Sequence, residues 1–152
     1  MKLLIPSLLA LFFVACGDLS TPLFKISSNS SRSSVKVVNS SDVIVGSMTD
    51  SRDGQTYKTV KIGKQVWMAQ NLNYKTADSY CYKDISSNCA KYGRLYTWAV
   101  AMDSAGIWSS NGKGCGYDRF CWSTYPVRGV CPSGYHLPET TEWKALFTAV
   151  GA

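Results

Sequence analysis

The chain has 152 residues, 45% hydrophobic and 12% aromatic, with a formal charge of +6 at neutral pH and six cysteines. That length supports one domain with a substantial core and excludes a multidomain assembly. The positive excess is scattered, with Lys58, Lys61 and Lys64 its nearest approach to a cluster, which argues against nucleic acid as a partner.

The first segment carries one charge, Lys2, followed by a mostly apolar run that ends Phe13-Val14-Ala15-Cys16-Gly17. The run falls short of the roughly 20 residues of a permanent transmembrane helix, so residues 1–15 read as a signal peptide. A small residue followed by cysteine at the cleavage point resembles the lipobox of bacterial lipoproteins, with Phe13 where that motif usually has Leu. The motif implies an acylated Cys16 as first mature residue. The chain is then exported and held by its lipid anchor at the outer membrane or cell surface. Ordinary secretion, with Cys16 lost or left as a spare thiol, is the alternative. Residues 16–47 are rich in serine and poor in charge, the composition of a flexible tether with a reach of roughly 30 Å. Only Val35–Val38 and Val43–Val45 could form short strands within it.

The folded domain is expected over 48–152. Asp53-Gly54 marks a turn, and Thr56–Ile62 alternates as a strand with Val60 and Ile62 on its buried face. Gly63-Lys64 then suits a type II′ turn into a second strand at 65–69, because glycine accepts positive φ. Export favours disulfides. With Cys16 acylated, the candidates are Cys81, Cys89, Cys115, Cys121 and Cys131. Cys81 and Cys89 enclose a short polar loop, and bridging them would stabilise the domain by roughly 2.5 kcal/mol. The other three allow one further pair, which spacing does not choose, and leave one thiol over. No Cys-x-x-Cys pair exists and His136 is the only histidine, so no metal or cofactor is expected.

Leu95, Trp98, Ala99 and Met102 fall at helical spacing and predict a helix over 94–102, stopped near Gly106. Trp143, Leu146, Phe147 and Val150 repeat that spacing over 139–150, with Gly151 placed to end the helix. Trp67, Trp98 and Trp143 are assigned to the core on this reading. Between the helices, residues 106–131 combine aromatic residues, glycines and cysteines in one long loop, which is either functional or disordered. Stapling by a disulfide argues for order. Trp108, Tyr117, Trp122 and Tyr125 are the candidate ligand-binding residues, able to stack on the apolar C–H faces of sugars while Asn111 or Asp118 meets hydroxyls. The competing reading folds these aromatics inward as a satellite core.

Asp53–Gly63, Trp67–Tyr74, Tyr92–Trp98 and Cys131–Pro138 with Glu142-Trp143 together resemble the Fibrobacter succinogenes major paralogous domain, over roughly 48–152. The family carries no established activity, and its members are typically exported. The Leu137-Pro138 … Glu142-Trp143 segment is remotely similar to C-type-lectin-like folds, including formylglycine-generating enzymes. That resemblance implies an α+β architecture and no function. The expected fold is therefore α+β: a β-hairpin, two helices and a long disulfide-stapled loop in a C-type-lectin-like arrangement. Family members often have Ser or Thr where this chain has Glu139, a poorer N-cap by roughly 1 kcal/mol. They also continue beyond the position of Ala152, so the domain is expected to be incomplete.

No phosphate loop, nucleophile elbow or second histidine is present, and His136 is expected to be a hydrogen-bonded structural residue. Catalysis is not expected. The functional expectation is a lipid-anchored envelope or surface binding or adhesion module for polysaccharide or another envelope component. The alternative is a structural envelope protein, or a truncated family fragment with no ligand of its own.

Overall fold

The computed structural model describes residues 11–13, 16–18 and 43–151. In chain order its elements are β1 (Leu11–Phe13), β2 (Gly17–Asp18), β3 (Val43–Thr49), β4 (Thr56–Ile62), β5 (Gln65–Met68) and β6 (Ser79–Tyr80). They continue with α1 (Ser86–Tyr92), β7 (Leu95–Thr97), α2 (Trp98–Ala101), β8 (Tyr135–His136) and α3 (Thr140–Val150). Among the described residues the strands form two antiparallel sheets, ordered β3-β4-β5-β2-β8 and β1-β7-β6. The class is α+β. None of the described helices is long and apolar enough to cross a membrane.

The β4–β5 hairpin forms as its residues dictate, closing with Ile62 opposite Gln65 and Gly63 at φ 60°. Its buried face is the other one, however. Tyr57 and Thr59 point into the core while Val60 and Ile62 stay half-buried. The reason is on β5. Met68 joins Tyr57 in a cluster with Leu72, Tyr96, Ala101 and Val130. Trp67, opposite Val60, is covered instead by Trp143 of α3, ring centroids 5.0 Å apart. One face of the hairpin therefore meets the core and the other a thinner helical layer.

Strand β3 starts five residues ahead of the expected bound at 48. Val43 to Thr49 pair in continuous register with Ile62 to Thr56, and the β-branched Val43, Ile44 and Val45 suit that edge position. Residues 19–42, most of the expected tether and including Val35–Val38, lie outside the described residues.

The N-terminal segment departs furthest from expectation. Leu11–Phe13, assigned above to a cleaved leader, pair with β7. Gly17 lies between Trp67 of β5 and His136 of β8. Cys16 is fully buried and disulfide-bonded to Cys131, with Cα atoms 5.9 Å apart. The diacylglyceryl thioether expected at Cys16 would need the same sulfur that bonds Cys131 here. The expected spare thiol disappears for the same reason. Cys81 pairs with Cys89 and Cys115 with Cys121, leaving no free cysteine among the described residues.

The helix predicted over 94–102 is instead a strand followed by a single helical turn. Gly93 sits at φ 78°, where a Cβ would meet Asn71 at 2.7 Å, so the chain turns sharply there. Tyr96 is then driven fully into the core, its hydroxyl donating to the Tyr74 carbonyl at 2.8 Å. Helix begins only at Trp98, where the Thr97 hydroxyl accepts the Val100 N–H. Trp98 is consequently at the surface, 43% exposed, and not in the core. α3 follows its predicted bounds and ends at Gly151, φ 75°. At its start the Glu142 carboxylate accepts the Glu139 N–H at 2.8 Å and meets His136 Nε2 at 2.9 Å. That contact gives buried His136 a structural partner.

Candidate ligand-binding cleft

The long loop is held in place mainly by the end of α2. Asp103, buried at φ 58°, accepts three backbone N–H groups at 2.7 Å each, from Ile107, Trp108 and Ser109. Gly112 and Gly129 press directly on the carbonyls of Met102 and Ala101, where any Cβ would overlap backbone. Val130 N–H donates to Ala101, and Thr124 N–H donates to Asn111 across the loop. The Cys115–Cys121 disulfide closes the intervening turn, and Met102, Cys115 and Val127 form a small core beneath it.

This scaffold divides the four aromatic candidates. Trp108 turns inward, edge-on to Tyr74 at 5.9 Å and under the Arg52 guanidinium at 5.3 Å. Arg52 also lies 3.9 Å over Tyr74 and is chelated by the buried Asp50, with Nη2–Oδ2 at 2.6 Å. Trp108 is therefore half-buried and packs against Tyr74 and Arg52. Burial raises the Asp50 pKa, but the hydrogen bonds and charge of Arg52, with the charge of Arg128, outweigh it and leave it lowered. Desolvation, and then repulsion from Arg52, lowers the Arg128 pKa. Arg128 still donates to the Trp108 carbonyl at 2.8 Å.

Tyr117, Trp122 and Tyr125 remain outside, Trp122 being 84% exposed. Trp122 meets Phe120 edge-on at 4.7 Å. Beside Tyr125, and not lined by Tyr117, Phe120 or Trp122, opens a cleft of about 610 Å³ between the loop, α2 and the start of α3. Its walls carry Trp98, Tyr125 and Trp143, with Ser123, Glu139 and Thr140 among them. Met102 and Val127 supply apolar floor.

Such a lining offers aromatic faces to an apolar surface and hydroxyls to polar groups. His136 and Glu142, 2.9 Å apart, are not among the residues that line the cleft. Among the described residues no cluster of His, Cys, Asp or Glu could hold a metal ion.

Of the sequence candidates the structure places Tyr125 in the cleft wall and Trp122 and Tyr117 exposed on the same loop. Asn111 is half-buried, while Asp118 is exposed. Sequence reasoning missed Trp98, Trp143 and Thr140. Trp98 and Trp143 sat on helical stripes and were assigned to the core. The signal that could have revealed Trp98 is Thr97, an N-cap that starts the helix later.

No curated protein matches the chain, and no solved structure does. The family model described as Fibrobacter succinogenes major domain matches residues 60–152. That span is more than half of the chain and includes the hairpin from Val60 onward, the loop scaffold, the cleft and α3. The chain belongs to the Fibrobacter succinogenes major domain family.

Proposed function

We propose that this protein is an exported, envelope-associated binding module whose ligand is carbohydrate, held in the cleft between Trp98, Tyr125 and Trp143. The observation that carries the reading is the exposure of Trp122, Tyr125 and Tyr117 on a loop pinned by Asp103 and stapled by Cys115–Cys121. Exposing large aromatic rings is unfavourable in water, and holding them rigidly is what a stacking platform requires. The neighbouring Ser123, Thr140 and Glu139 supply hydrogen-bonding groups for sugar hydroxyls. Three disulfides accord with an oxidising compartment. Membrane attachment through Cys16 belongs to the chemistry in which acylation, and not Cys131, takes that sulfur.

Retention of the oxidised full chain on insoluble cellulose, xylan and cell-wall glycan is the test. At least one polysaccharide should retain it, and Trp98→Ala and Tyr125→Ala should each weaken retention about tenfold or more, equivalent to about 1.4 kcal/mol. Near-ultraviolet circular dichroism checks that the variants keep their packing. Absence of retention on every glycan would sink the carbohydrate assignment.

A second reading, a structural envelope component, draws on different residues. Phe147 and Val150 of α3 and Ile44 and Val45 of the edge strand β3 are exposed apolar side chains.

A further inference from the structure

A second cavity, also about 610 Å³ and sharing no lining residue with the aromatic cleft, opens where β4 and β5 meet the end of α1. Its chemistry is opposite. Gln55, Gln70, Asn71 and Asn73 face it alongside Tyr57 and Tyr92, and no carboxylate is among its lining residues.

The orientation of each amide group is set by its partners. Gln55 Nε2 donates to the Asp53 carboxylate at 2.7 Å, so Gln55 Oε1 must point the other way, where it accepts Asn73 Nδ2 at 3.2 Å. That bond in turn fixes Asn73, leaving its Oδ1 buried with no hydrogen-bond partner. Gln70 Oε1 accepts the Lys58 N–H at 2.7 Å, which leaves the Gln70 NH₂ to donate. Asn71 Nδ2 donates to the Tyr92 carbonyl at 2.9 Å, which leaves Asn71 Oδ1 to accept. The cavity therefore presents amide donors and acceptors beside the Lys91 ammonium, and Asn73 keeps a buried, unpaired acceptor that water or protein normally satisfies.

We infer that this amide-lined cavity is a second binding site, for a sugar unit. Vicinal hydroxyls both donate and accept, so they can bridge the Asn71, Asn73 and Gln70 groups together. The Tyr92 ring is partly exposed and carries the Lys91 ammonium 4.9 Å over one face, which leaves the other for the sugar C–H surface. The inference shares the ligand class of the aromatic cleft but rests on none of its residues.

The experiment is an NMR titration of the full oxidised chain with cellohexaose, xylohexaose and chitohexaose, read at the side-chain amides of Asn73, Gln70 and Asn71 and, separately, at the Trp98 and Trp143 indoles. Saturable shifts of the amide signals are expected with at least one oligosaccharide. Asn73→Ala should weaken that response about tenfold or more while the indole titration persists. Should Asn73→Ala fail to fold, Gln70→Ala on the exposed rim takes its place, with the same loss expected. Amide signals that stay fixed while the indoles titrate would overturn this second site and leave the cleft standing. Fixed indoles with titrating amides would do the reverse. A neutral glycine–alanine peptide that shifts the amides when no sugar does would overturn the sugar class.

Discussion

Asp103 illustrates how much a single side chain organises. One buried carboxylate accepts three N–H groups and so sets the entry of the whole long loop. Replacing it by alanine orphans those donors, and a loss of about 3 kcal/mol is expected from equilibrium urea unfolding. Asn at the same position should recover little of it, because its NH₂ would face donors. Asp50 gives a pH-dependent counterpart. Its folded pKa is below the ordinary 3.8, so its contribution is complete above that pH and is lost on acidification through the lower folded value. Unfolding midpoints should therefore be insensitive to this group above pH 3.8 and fall below it. In Asp50→Asn the fall should be shallower, with lower stability at neutral pH, since Arg52 then loses its charged partner. None of this was visible in the chain as text. Asp50 and Asp103 belong to no motif that sets them apart from other carboxylates, and only burial distinguishes them.

The elements that short-range chemistry specifies were legible, and those that depend on distant partners were not. Gly63 with its flanking alternation was sufficient for the hairpin, and the Trp143, Leu146, Phe147, Val150 stripe with Gly151 was sufficient for α3. The 94–102 stripe was deceptive because Tyr96 lies outside it and yet is the residue fully buried. Its burial follows from contacts with Tyr57, Leu72 and Val130 that no local spacing encodes. Of the candidate site, the loop and its aromatic content were legible. The inward turn of Trp108 was not, because Arg52 and Tyr74 come from far earlier in the chain. The same contrast gives an expected pair of glycine effects. Gly63→Ala meets nothing within 4 Å and should cost only the positive-φ strain, about 1 kcal/mol. Gly129→Ala combines positive φ with overlap of the Ala101 carbonyl and should cost about 3 kcal/mol or more. Thermal denaturation of the two variants side by side checks the ordering, and equal effects would mean that the loop does not press on α2 as described.

At the scale of the molecule, one sulfur atom decides between two architectures. In the fold described here Cys16 closes onto Cys131 across a sequence separation of 115 residues, bringing β1 and β2 into the sheets with it. On chain-entropy grounds a loop of that length stabilises the folded state by about 4 to 5 kcal/mol. An acylated Cys16 would forfeit that contribution and leave Cys131 as a thiol, buried and lacking its partner. The two states are exclusive, so non-reducing peptide mapping separates them cleanly. The expected outcome is a linked Cys16–Cys131 peptide, together with Cys81–Cys89 and Cys115–Cys121, and no thiol reactive towards maleimide after denaturation. Cys16→Ala should then lower the unfolding free energy by several kcal/mol and unmask one thiol, that of Cys131. A diacylated Cys16 peptide alongside alkylated Cys131 would show instead that the lipid claims the sulfur. β2 would then have to hold its place between β5 and β8 through backbone pairing alone.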